Sequence, residues 1–146
     1  MTEKQMQTLF RKYLEKNPPS ETCVYELKIA RGKSLAFEAV KEHQIEALRL
    51  ASSGRGFFHK ITDPPVFTGM NSRFNLKRPF DCFYVKGVKT YVVIWFFIPR
   101  TKKVFWLIEI ETFLRMKNSA VKKSFREELL YDMEKAGDST ISRINI

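Results

Sequence analysis

Residues 91–98 read Tyr-Val-Val-Ile-Trp-Phe-Phe-Ile, an apolar run without a single polar interruption. β-Branched and aromatic side chains dominate it, and Lys86-Gly-Val-Lys89 before it and Pro99-Arg-Thr-Lys-Lys103 after it are turn-like. Both features favour a strand over a helix. Because apolar residues do not alternate with polar ones, neither face is suited to water, and such a strand belongs at the centre of a sheet covered on both sides. It is far shorter than the roughly 20 residues that a membrane-spanning helix requires. The rest of the chain must therefore supply two covering layers. With 146 residues, 44% of them hydrophobic and 14% aromatic, it has enough material for one core but not comfortably for two. No repeat, low-complexity stretch or linker divides it, so one domain over residues 1–146 is expected.

The remaining elements are set by periodicity and punctuation. Residues 3–16 place Met6, Leu9, Phe10, Tyr13 and Leu14 at helical spacing before Asn17-Pro18-Pro19. Residues 23–29 read as a strand closed by Gly32. Residues 35–52 read as a second helix with Ser34 as its cap, stopped by Ser53-Gly-Arg-Gly56. A short strand at 57–62 leads into a polar loop to about residue 79, long for a compact domain. Strands at 80–85, 91–98 and 104–111, joined tightly, suggest a meander. A third helix at 119–135 and a last strand at 140–146 complete a mixed α/β pattern. The expected fold is a mixed central β-sheet flanked by helices.

Charge narrows the function classes. There are 26 Lys and Arg against 16 Asp and Glu, a net charge of +10. On one small domain that suggests a polyanionic partner, nucleic acid first. The 2 Cys form no C-x-x-C pair, so a structural zinc site is not expected, and neither has a His partner suited to a thiol nucleophile. Residues 1–16 lack the apolar stretch of a signal peptide, and no phosphate-binding or dinucleotide-binding glycine pattern occurs. An intracellular protein without a membrane span is expected.

Two strands carry charges that call for a reason. In residues 23–29, alternation puts Glu26 and Lys28 on one face and Tyr25, Leu27 and Ile29 on the other. In Arg78-Pro-Phe-Asp-Cys-Phe-Tyr84, Asp81 sits inside an aromatic strand, although Asp is among the poorest strand formers. If the two strands are neighbours, Glu26 and Asp81 converge on one hard cation, for which magnesium is suited. Lys28, on the same face, then orients or helps to deprotonate a water. Glu109 and Glu111, alternating with Ile108 and Ile110, share a strand face, read first as a solvated one and as a source of a ligand only if Asp81 points elsewhere. Glu38, Glu42 and Glu46 recur every fourth residue and are read as helix-surface partners of Lys41 and Arg49. His59 is a weaker candidate for reaching a phosphate.

An Asp in a Pro-Phe-Asp strand plus a separate Glu-x-Lys strand resembles the PD-(D/E)xK nucleases. The helix carrying His43-Gln44 after Glu26-Leu-Lys28 is similar to their Holliday junction resolvase-like and phage endonuclease branch. The resemblance spans about residues 23–111. It implies a restriction-endonuclease-like fold and a metal-dependent, structure-selective DNA endonuclease that resolves branched DNA such as four-way junctions. It further implies Mg2+ or Mn2+ held by Asp81, Glu26 and the backbone carbonyl of Leu27, with Lys28 holding the water and Gln44 near the site. An acid on the first helix often completes the set in that family, and Glu3 is the only candidate before Arg11. In the family the Asp strand comes first and forms a hairpin with the Glu-x-Lys strand, whereas here Glu26-Leu-Lys28 comes earlier and Ile94-Trp-Phe96 occupies the expected place. Either the signature has moved to another strand of the same sheet, or the Asp81 match is accidental.

Arg31, Lys33, Lys77 and Arg78 lie within a few residues of the proposed centre. With His43 they are the expected DNA contacts, gripping phosphates without reading sequence. A two-fold branched substrate implies a homodimer, for which Phe105, Trp106, Phe113 and the first helix are candidate contacts. The implied setting is the cytoplasm of a prokaryote or a virus-infected cell. The alternative function is a non-catalytic, basic nucleic-acid-binding protein.

Overall fold

The computed structural model describes residues 2–61 and 81–146. Helix α1 (Glu3–Lys16) starts at a capping box, in which Thr2 and Gln5 satisfy each other's backbone donors. Then come β1 (Cys23–Arg31), the short β2 (Ser34–Ala36), a 3-10 turn at Phe37–Ala39, and α2 (Glu42–Ser52). A hairpin of β3 (Phe57–Lys60) and β4 (Cys82–Val85) precedes β5 (Lys89–Phe97) and β6 (Val104–Glu109). The chain ends with α3 (Ile110–Ser119), β7 (Ser124–Arg126), α4 (Glu127–Lys135) and β8 (Ile141–Asn145).

The main sheet has the order β1-β5-β6-β8, with β1 parallel to β5 and the other pairs antiparallel. β5 is inside this sheet, and Val92 to Phe96 are all buried, as the apolar run predicts. Val93, Trp95 and Phe105 face α1 and pack on Met6 and Phe10. Val92, Ile94, Phe96, Trp106 and Ile108 face the other way, into a core with α2, α3 and α4. The architecture is the expected mixed sheet with helices on both faces.

Several local expectations are corrected. The meander does not form at its first step: β4 pairs with β3 in a separate two-stranded sheet, and the neighbour that β5 takes in its place is β1. A parallel pair needs a long crossover, and here α2 and the hairpin supply it. Ser34 caps no helix; it lies in β2, where its hydroxyl donates to the carbonyl of Phe125. Leu35 is buried in that β2–β7 pairing, so α2 starts only at Glu42. The strand expected to reach residue 111 ends at Glu109, and the expected third helix is two, α3 and α4, separated by β7. Phe105, Trp106 and Phe113 have no exposed surface and belong to the core, so they are not dimer contacts. Trp106 is held there by its indole N–H donating to Glu127 at 2.9 Å.

The hairpin is fastened to the end of α2. The N–H groups of Gly87 and Val88 donate to the carbonyls of Ser53 and Ala51. Tyr84 donates its hydroxyl to the Arg55 carbonyl and lies directly against Gly56. Gly56 has φ +81, and any Cβ there would overlap the Tyr84 ring, so both its backbone and its neighbour require glycine.

The double-sided core predicts a concentrated stability effect. Phe105 packs edge-on against Phe10 and Trp95, with ring centroids 5.9 and 5.3 Å away. Phe105→Ala should lose about 3–5 kcal/mol in urea unfolding with an unchanged m value. A loss below about 1 kcal/mol would mean that α1 is not packed on this face.

Candidate functional site

β1 forms an edge of the main sheet among the described residues, and its side chains alternate as the sequence predicts. Tyr25, Leu27 and Ile29 pack towards α1, whereas Val24 and Ala30 join the core on the α2 side. Glu26 and Lys28 share the parity of Val24 and Ala30 and project towards α2. Lys28 Nζ is 2.8 Å from Glu26 Oε1, and only 15% of the Lys28 side chain and 24% of the Glu26 side chain are exposed. This ion pair is thus largely withdrawn from water.

Gln44 completes the grouping. It occupies the third position of α2, from which a glutamine side chain reaches back to the N-cap backbone. Its Oε1 accepts the N–H of Lys41 at 3.0 Å. That contact fixes the orientation of the amide, leaving its NH2 to face Glu26, and Nε2 donates to Glu26 Oε1 at 2.7 Å. Two donors therefore meet on one carboxylate oxygen, a cation from β1 and an amide from α2. The other oxygen, Oε2, receives no hydrogen bond within the described residues and keeps its lone pairs.

Beside this group is a cavity of about 670 Å³, bounded by β1, α2 and the β3–β4 hairpin. Glu26, His43 and Gln44 line one side, and Phe57, His59 and Phe83 another. Burial is the main cause that pushes the Tyr25 phenol up from its ordinary range, with Cys23 and Tyr91 adding to it.

The other candidate residues are dispersed. Asp81 is exposed just before β4; its carbonyl accepts the Ile61 N–H at 2.8 Å, continuing the pairing one step beyond Lys60 and Cys82. It is not part of the cavity lining. Leu27 lies between Glu26 and Lys28, opposite Val93 of β5. Arg31 and Lys33 are exposed around the Gly32 turn at the end of β1, and His43 is exposed on the first turn of α2. Lys77 and Arg78 lie outside the described residues.

The reserve acids are elsewhere. Glu109 pairs across the sheet with Tyr91, on the α1 side, so strand parity separates it from Glu26. Glu111 is on α3, not on a strand, and sits 3.5 Å from Arg49. Glu3 begins α1, the helix packed on the opposite face of the sheet. Glu42 pairs with Lys117, not with a cation of its own helix. Among the described residues no three His, Cys, Asp or Glu gather into a cage for a metal ion. Sequence reasoning did not identify the Lys41 backbone as the group that orients Gln44, although a glutamine three residues after a helix start is the signal for it.

No protein-family model, curated protein or solved structure matches this chain. The chemistry of the pair itself makes a prediction about stability. Removing one partner of a mostly buried ion pair leaves the other charge uncompensated, whereas replacing both by apolar groups relieves the desolvation penalty. Glu26→Leu alone should therefore destabilise the protein by about 1–3 kcal/mol. The double variant with Lys28→Met should regain at least that loss in thermal unfolding. A double variant less stable than Glu26→Leu would show that the pair is held for structural stability.

Proposed function

We propose that this protein is a metal-dependent, structure-selective DNA endonuclease of the PD-(D/E)xK kind, hydrolysing phosphodiester bonds in branched DNA such as four-way junctions. The observation that carries the reading is the grip on Glu26: Lys28 at 2.8 Å and Gln44 at 2.7 Å on the same oxygen, with no hydrogen bond to Oε2 among the described residues. The third donor, itself oriented by a helix cap, holds that carboxylate in one orientation.

The donor set fits magnesium, which usually takes only one or two carboxylates and keeps several waters, and so needs no cage. Glu26 would hold it through Oε2, with the Leu27 carbonyl and waters as further oxygen donors; Asp81, on the separate β3–β4 sheet, is not counted among them. Bound there, the ion would supply Lewis-acid stabilisation of the charge that develops on the phosphate. The protein's own groups do the rest. Gln44 fixes the rotation of the carboxylate. Lys28 pairs with Glu26 at its other oxygen and is placed to orient a water for in-line attack. Arg31 and Lys33, exposed beyond the end of β1, attract and position the phosphate backbone.

A four-way junction incubated with Mg2+ should be cut by the wild type. Glu26→Ala and Lys28→Ala should each slow cutting by about 100-fold or more, the usual scale for a positioned proton-transfer group. Glu26→Ala should also weaken magnesium binding in calorimetry, whereas Asp81→Ala, on the separate β3–β4 sheet, should leave cutting and metal binding unchanged. Junction binding should weaken steeply with rising salt. A wild type that binds junctions without cutting them in Mg2+ or Mn2+ would instead support the non-catalytic nucleic-acid-binding reading.

A further inference from the structure

The cavity next to Glu26 has a chemistry that differs from its surroundings. Its lining contains two carboxylates, Glu26 and Glu46, and no Lys or Arg, with aromatic and aliphatic side chains forming most of the wall. A phosphate has no Lys or Arg to meet inside it. The wall suits a flat, neutral group that stacks and makes a few hydrogen bonds. The stacking surface is on the hairpin, where the His59 ring lies 5.2 Å from Phe83 and 6.0 Å from Phe57. His43 and Gln44 place polar groups on the α2 side. A volume of about 670 Å³ falls within the range of small-ligand sites.

No cation lines the cavity; those of the hairpin lie outside the lining. Arg55 just before β3, Lys60 at its end and Lys86 just after β4 are all exposed and have no salt-bridge partner among the described residues. Asp81 is the one acid in the two described hairpin segments, 55–61 and 81–86. An aromatic wall with two carboxylate acceptors, carried in part by a hairpin with exposed cations, is complementary to a nucleotide, whose base is flat and bears N–H donors and whose backbone is anionic.

We infer that this cavity receives one unpaired nucleobase of the DNA, stacked on His59 and Phe83, and so brings the adjoining backbone to Glu26. The inference rests on the nuclease reading and makes its substrate class more specific: a strand with a base free to leave the helix. Stacking on an aromatic surface is tolerant of base identity, and extrusion takes least energy where a base is already unpaired. Selectivity for irregular DNA then comes from the availability of a base, not from its sequence.

The test compares two fluorescein-labelled duplexes in EDTA, one with a single extrahelical thymine and one with an abasic residue at that position. The wild type should bind the thymine duplex about tenfold more tightly, on the scale of base–aromatic stacking. His59→Ala and Phe83→Leu should each bring that ratio close to one, with affinity for the abasic duplex unchanged. Phe58→Ala, on the opposite face of the hairpin, should leave the ratio unaltered and so shows that the hairpin itself is intact. Equal binding of both duplexes by the wild type, or no binding of either, overturns the inference. Cutting of the same duplexes in Mg2+ is read separately. Glu26-dependent cutting with no base preference removes the cavity assignment alone. A base preference without any cutting removes the nuclease reading and leaves the cavity assignment standing.

Discussion

The parallel pairing of β1 with β5 organises this protein. β5 is apolar on both faces and can only be central, and β1 beside it has a covered position on one flank and, among the described residues, an open edge on the other. Parallel strands cannot be joined by a tight turn, and the connection between these two has to carry a helix and more. That requirement places α2 over one face of β1 and hangs the β3–β4 hairpin from the end of α2. Glu26, Lys28, Gln44 and the cavity walls are consequences of this single crossover. A β4–β5 hairpin in its place would have put the Asp81 strand beside β5, and β1 would have lost its place next to α2.

Much of the fold was legible because it depends on short-range rules. The bounds of α1 are set by its periodicity and the Asn17-Pro18-Pro19 stop, and the observed helix has the expected limits. The central strand is announced by its unbroken apolar run. The failures share a cause, which is that tertiary partners override local pattern. Leu35 and Ala36 have helical spacing with Ala39 and Val40, yet Phe125, far along the chain, pairs opposite Leu35 and draws the segment into a strand. Glu109, Ile110 and Glu111 alternate as a strand would, but β8 pairs with β6 only as far as Ile108, and Ile110, Phe113 and Met116 are better buried as one face of a helix.

The candidate site was legible in the same uneven way. Parity alone placed Glu26 and Lys28 on one face, because a strand's period of two is insensitive to which strand lies next to it. The contact between Glu26 and Gln44 joins two elements, and composition or spacing carries no information about it; the resemblance to a nuclease family supplied that residue. The role of the β3–β4 hairpin is invisible to any reading in which neighbouring strands pair in order. Such a reading assigns β4 to β5 and leaves His59 as an isolated ring.

An edge strand is also the one place in this sheet where a Glu-x-Lys pair is physically tolerable. Ile94 and Trp95 lie in β5, where Val92 and Ile94 have no exposed surface and aromatic layers close over both faces. A carboxylate and an ammonium there would lose their hydration with no route for an ion, a water or a phosphate to reach them, and burial of that kind is repaid only by very complete pairing. β1 lies one strand across, in register, with Glu26 opposite Val92 and Lys28 opposite Ile94. A lateral step of about 4.8 Å takes the same two charges from a sealed core to a partly exposed edge. They keep enough burial to strengthen their mutual attraction and enough access for one carboxylate oxygen to have no partner among the described residues. A Glu–Lys pair in a sheet whose centre is this apolar therefore has to sit at its margin.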